Sequence, residues 1–320
     1  MEDARGHARF KKWRVASPLA RRLWAMCRGR RSPTSANSST DALDLCGRRA
    51  TRSAGSSIPA RAARRLRCWL SRRHSLGTEA ILVLGLYALY EVARGLTVGN
   101  GDEALVNARR VVALEQSTGV FVEGRVQDAV HVLPGLIDLL DVSYLTLHLA
   151  GTVAVLIWLH QRRPAVFPFV RTTLVLASGL ALVGYLAFPT APPRLSEIGI
   201  VDTVSNAHFD LNTGLVSALY NPYAAVPSMH VGYALVVAAS LLRYRSRRLG
   251  LLVGLLYVPF VVLVVVGTGN HFLFDAVAGA AVVVVAACAA QLLVQPPPDV
   301  RIARFPERRA PAAAPDELAA

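Results

Sequence analysis

Four side chains have types and positions that could carry chemistry: His230, His271, Asp275 and Arg194. His271 and Asp275 lie four positions apart in "GTGNHFLFDAVAG". On a helix that spacing puts them on one face, about one turn apart. An aspartate carboxylate can accept the Nδ1–H of such a histidine, which fixes the tautomer and leaves the Nε2 lone pair able to attack an electrophile. It also stabilises the positive charge on the ring once the ring is modified. His230 opens the apolar run "SMHVGYALVVAASLL", and Arg194 follows another in "FPTAPPR". Asn270 reads as a helix cap that places His271 in a first turn. Helix N-termini present free N–H groups and a positive dipole end, which suit phosphate. Pro227–His230 offers a second such end. Any one of these residues alone would be an ordinary structural histidine, aspartate or anchor; their gathering is what points to a site.

The elements that must hold them are apolar. Of 320 residues, 53% are hydrophobic, and the mean hydropathy is +0.39. That is too apolar for an ordinary soluble domain. Apolar segments at about 80–98, 142–160, 170–188, 228–242, 249–267 and 271–293 predict six membrane helices, because backbone polar groups in hydrocarbon must be paired within the segment. The fold class expected is an all-α integral membrane protein, a six-helix bundle. Between the first two spans, "EALVNARRVVALEQSTGVFVEGRVQDAVHVL" repeats apolar residues every three or four positions, as an interfacial helix does. Gly119 should break it in two. A lid beside a lipid-entry gap and a plain surface connector are both open readings of it.

Charge organises the rest. Residues 1–78 carry 19 Lys and Arg against Glu2, Asp3, Asp41 and Asp44, while the whole chain has a net charge of +14. The membrane body is therefore near neutral. The domains expected are a disordered basic tail at 1–78, a membrane domain at 79–294 and a disordered tail at 295–320. Such a basic tail suits anionic lipid headgroups, and no folded module accompanies it that would read nucleic acid. Arg162, Arg163 and Arg171 lie between the second and third spans, and Arg243, Arg245, Arg247 and Arg248 between the fourth and fifth. The positive-inside rule then places both termini in the cytoplasm and the four chemical residues on the opposite face of the cell membrane. None of Cys27, Cys46, Cys68 and Cys288 has zinc-ligand spacing.

"PSMH", followed some forty residues later by "GNHFLFD", resembles the second and third signatures of the type 2 phosphatidic acid phosphatase superfamily, P-S-x-H and H-x-x-x-D. "ARRVVALEQSTGVFVEGRVQ", "FPTAPPR", "NPYAAVPSMHVGYAL" and "GTGNHFLFDAVAGA" more narrowly resemble the bacterial relatives of inositol phosphorylceramide synthases, over about residues 79–294. The resemblance implies that His271 is a nucleophile forming a phosphohistidine, that Asp275 orients it, and that His230 protonates the leaving alkoxide. It implies neither metal nor cofactor, and a lipid phosphate or phospholipid as substrate, with water or an alcohol such as inositol as acceptor. Ser228, inside "PSMH", is a candidate phosphate contact. The superfamily's phosphatases carry Ser-Arg shortly before the third-signature histidine, but Val264 and Val265 stand there, and the first signature is not visible. Arg194 is the candidate for the missing phosphate contact. Asn221 and Tyr223 could support the loop, and His148 reads as a helix-contact residue. His131 and His208 have no clear partner. Two rival classes remain: a metal-dependent hydrolase using His230, His271 and Asp275 as ligands, and a non-enzymatic lipid transporter.

Overall fold

The computed structural model describes residues 58–97, 99–207, 221–244 and 247–294. Residues 1–57 of the tail expected at 1–78, and the tail expected at 295–320, lie outside these residues, as does His208. The described chain is all-helical. Its elements are α1 (Ile58–Leu70), α2 (Leu76–Leu96), α3 (Gly101–Thr118), α4 (Glu123–His131), α5 (Leu136–Arg162), α6 (Phe167–Ala187), a 3-10 turn (Pro193–Leu195), α7 (Thr203–Ala207), α8 (Met229–Tyr244), α9 (Arg247–Gly267) and α10 (Leu273–Val294). Its β pairing is one isolated bridge between Thr190 and Ala224.

Five described helices are long and apolar enough to cross a membrane: α2, α5, α6, the Gly250–Gly267 part of α9, and α10. The fourth expected span, α8, has only 16 residues. At 1.5 Å per residue it reaches roughly 24 Å, short of a hydrocarbon core of about 30 Å. Part of the segment expected as a tail at 1–78 is described. Ile58–Leu70 is a helix, and α2 begins at Leu76 with Ser75 accepting the Thr78 N–H as its N-cap.

Arg171, counted in the sequence among loop arginines, fastens this region. It is buried in α6 and meets Glu79 of α2 at 2.6 and 2.7 Å, while its Nη2 donates to the Leu70 carbonyl at the end of α1. A buried charge needs such a partner, and an extra carbonyl satisfies the remaining donor.

The segment before α5 is broken at Gly119, whose φ of 74° ends α3 in the left-handed region that glycine takes without a Cβ clash. Ala104, Ala108 and Val111 of α3 pack with Ala191 and Phe272 as a small core of their own. The segment thus rests on the loops that open α8 and α10.

Those two helices cross closely. A Cβ at Gly279 would lie 2.1 Å from the Ser228 carbonyl oxygen, and one at Gly232 would lie 3.1 Å from Val283. Small residues let helix backbones approach within such distances. The Ser228 N–H also donates to the Asp275 carbonyl at 3.0 Å. The crossing therefore sets the first turn of α8, with His230, against the first turn of α10, with Asp275.

Candidate active site

α9 ends at Gly267, and Gly269, with φ of 69°, turns the chain out of the helix. The N–H groups of Asn270 and His271 both donate to the Val265 carbonyl at 3.0 Å. His271 therefore stands two residues ahead of α10, not inside its first turn, and Asn270 does not cap α10. Asn270 instead donates to Thr268 Oγ1 (2.9 Å) and accepts from Arg194.

His271 is nevertheless held in the orientation its spacing from Asp275 suggests. Its Nδ1 lies 3.0 Å from the Ala225 carbonyl oxygen and 3.2 Å from Asp275 Oδ2. A carbonyl can only accept, so Nδ1 carries the proton and the Nε2 of the neutral ring keeps its lone pair. Two acceptors fix that tautomer, and only one of them is a side chain. Asp275 is fully buried, and its Oδ2 also accepts the Phe272 N–H at 2.9 Å.

His230 faces this pair. Its ring centroid is 5.7 Å from that of His271, stacks on Tyr144 at 4.4 Å, and touches His148 at 4.0 Å. Its Nε2 lies 3.2 Å from the Tyr144 carbonyl, so Nε2 holds a proton and Nδ1 is the nitrogen able to exchange one.

The rings of His230, His271 and His148 open onto a polar pocket that Arg94, Asn221 and Asn270 also line. Arg94 is the cation there. It sits in the last turn of α2, and one of its Nη atoms meets Glu91 at 2.8 Å. Its carbonyl accepts from Asn221 Nδ2 at 3.1 Å, which ties the loop before α8 to α2. Sequence reasoning passed over Arg94. Its place inside an expected span, in "YEVARGL", was the signal available, because an ionisable residue in a span is a functional candidate by default.

Arg194 and Ser228 lie near the site but do not line that pocket. The Arg194 guanidinium is buried, pairs with Asp202 at 2.5 Å, and donates from Nε to Asn270 at 3.0 Å; its backbone N–H donates to the Gly269 carbonyl. It therefore braces the turn that delivers His271. Ser228 is fully buried beneath the α8–α10 crossing. His131 bonds the Gln127 carbonyl of its own helix through Nδ1, at 2.9 Å.

The first turn of α10 is not an open anion site either. Its leading N–H groups are all taken by carboxylates: Phe272 by Asp275, Leu273 by Glu123 (2.9 Å) and Phe274 by Glu115 (2.6 Å). Glu115 and Glu123 come from α3 and α4, some 150 residues earlier, and no local pattern announces them.

The metal-site rival finds no ligand set. Among the described residues no group of three or more His, Cys, Asp or Glu side chains is disposed to hold a metal ion. His271 Nδ1 and Asp275 Oδ2 spend their facing atoms on each other.

No curated protein and no solved structure matches the chain at a significant level. A family model described as the PAP2 superfamily matches residues 109–289, a stretch that holds His148, His230, His271 and Asp275. That match covers more than half of the chain, so the chain belongs to the PAP2 superfamily, whose members are phosphoric-ester hydrolases or transferases.

Proposed function

We propose that the protein is a membrane lipid phosphatase or phospho-headgroup transferase that works through a phosphohistidine on His271. The observation that carries this reading is the double hold on His271 Nδ1, by the Ala225 carbonyl and Asp275, opposite His230 and inside a pocket that contains Arg94. His271 Nε2 attacks phosphorus in line. The N–P bond forms as the P–O bond to the lipid alkoxide breaks, and that alkoxide takes a proton from His230 Nδ1. Water or an alcohol such as inositol then gives its proton to His230 and attacks the phosphohistidine, which returns the ring to its starting state. Arg94 meets the developing charge on the phosphoryl oxygens.

An apolar groove supports a lipid substrate. It measures about 440 Å³, within the range of roughly 300–1,000 Å³ of small-molecule pockets. α2, α5 and α6 form its walls, and Tyr87, Tyr90 and Tyr233 line both it and the polar pocket. A chain lying in the groove would therefore bring its phosphate to His271. The resemblance to inositol phosphorylceramide synthases favours transfer to an alcohol. The arginine pattern favours six spans, α8 included, with the site on the extracytoplasmic face and both termini inside.

The test uses purified protein and a lipid phosphate labelled with ³²P, with and without inositol. Wild type should give an acid-labile phosphoenzyme, and His271→Ala should give neither phosphoenzyme nor turnover. Normal turnover by His271→Ala would remove the nucleophile assignment. Labelled inositol phosphate or phospholipid would identify a transferase, and free phosphate alone a phosphatase.

A further inference from the structure

The three carboxylates at the start of α10 are unequal in what they accept. Glu123 is fully buried and accepts twice from the backbone, with Oε1 from the Leu273 N–H and Oε2 from the Val122 N–H, each at 2.9 Å. Glu115 is also buried. Its Oε1 accepts the Phe274 N–H at 2.6 Å, and its buried Oε2 has no hydrogen-bond partner. Both oxygens of Glu123 are thus taken by backbone N–H donors, whereas Glu115 uses only one.

We propose that Glu115 and Glu123 act as a clamp on the first turn of α10 and that this clamp positions His271 for attack. The proposal rests on the reading of His271 as the nucleophile. The clamp fixes Leu273 and Phe274, and Asp275 fixes Phe272 from within the same turn. These residues immediately follow His271, so the clamp holds both the histidine's backbone and the carboxylate that orients its ring. The segment joining α2 to α5 thereby becomes a support for the nucleophile.

The titratable groups facing Glu115 are the carboxylates of Glu123 and Asp275, with His271 bonded behind Asp275. Burial, reinforced by these two carboxylates and opposed by the Phe274 N–H, pushes the Glu115 carboxyl up to about 8. Because the unfolded glutamate ionises near 4.5, the folded state binds more protons between that pH and about 8, and stability falls as pH rises through this window. Above it, Glu115 is charged in a buried place beside the carboxyl groups of Glu123 and Asp275, and the clamp loosens.

The two glutamates should therefore respond differently to the same isosteric change. Gln at 115 still accepts the Phe274 N–H with its carbonyl, and it is neutral, as a carboxyl titrating near 8 mostly is at pH 7. Gln at 123 turns one acceptor into a donor that faces a backbone N–H. With a diacylglycerol phosphate in mixed micelles at pH 7, Glu115→Gln should keep kcat within about threefold of wild type. Glu123→Gln should lower it at least tenfold, with KM within about twofold. The ratio of Glu115→Gln to wild-type kcat should then rise by up to about tenfold from pH 7 to pH 9, since a group titrating near 8 passes from mostly protonated to mostly ionised in that interval.

Hydrogen exchange supplies a readout that needs no turnover. The Phe272–Phe274 amides should stay protected in Glu115→Gln at pH 9, where wild type loses protection, and should be unprotected in Glu123→Gln at pH 7. Equal effects of the two substitutions, or a kcat ratio and an exchange pattern that do not change with pH, would overturn the clamp. A wild-type protein that turns over no lipid phosphate but shows this exchange pattern would refute the proposed function and leave the clamp standing.

Discussion

Replacing Asp275 by asparagine separates two jobs that one carboxylate usually does at once. In a histidine held by a single aspartate, the amide swap reverses the tautomer and costs about 10⁴ in rate. Here the Ala225 carbonyl, at 3.0 Å from Nδ1, is closer than Asp275 Oδ2 at 3.2 Å, and it accepts whatever residue 275 is. The tautomer should therefore survive. Asparagine can also still accept the Phe272 N–H. On the proposed mechanism, what is lost is the negative charge beside the ring when it becomes positive on phosphorylation. A hydrogen bond to a charged group is worth about 1.5–3 kcal/mol. At 1.36 kcal/mol per decade, kcat should fall about 10- to 150-fold, far less than in His271→Ala. The assay is single-turnover formation of the labelled phosphoenzyme, which isolates the first chemical step. A loss near 10⁴ would mean that the carbonyl does not hold the tautomer. An unchanged rate would mean that Asp275 does not stabilise the charged ring.

The two arginines should behave differently in the same assay. Arg94→Ala should reduce kcat/KM about 10- to 150-fold, the worth of a charge-assisted contact. Its thermal midpoint should change little, and an unaffected kcat/KM would remove Arg94 from phosphate binding. Arg194→Ala leaves Asp202 without this partner and frees the turn before His271, so its main effect should be a lower Tm in detergent. A raised KM at unchanged Tm would restore it as a substrate contact. Gly279→Ala puts a Cβ 2.1 Å from the Ser228 carbonyl oxygen and should separate α8 from α10, which abolishes activity and lowers Tm; a fully active variant would show that this crossing does not position the site.

How much of this was legible in the chain differs from residue to residue. The His271–Asp275 spacing announced a hydrogen bond that the structure contains, although His271 lies outside the helix that the spacing assumed. Both residues sit within one turn of chain, so local geometry suffices for them. Gly119 broke the segment before α5 where its missing side chain predicts. Arg194 is less legible, for the opposite reason. An arginine after a span reads equally well as a phosphate ligand or a brace, and only the fold shows its pairing with Asp202 and Asn270.

The sequence by itself determined the chemistry on offer and the solvent it would meet. Apolar runs too long for a soluble core impose helices, because unpaired backbone groups cannot remain in hydrocarbon. Histidine, aspartate and arginine are the side chains that move phosphate and protons. Only the tertiary structure decided which of them meet. The Ala225 carbonyl that fixes the His271 tautomer belongs to the backbone and is written in no residue type. Arg94 reaches the pocket because the last turn of α2 lies beside the loop before α8. Glu115 and Glu123 close over α10 from some 150 residues away, and folding buries both against its first turn. Hydrogen bonds and charge act over a few ångströms of space, so a chain states its partners only when they are neighbours in sequence as well.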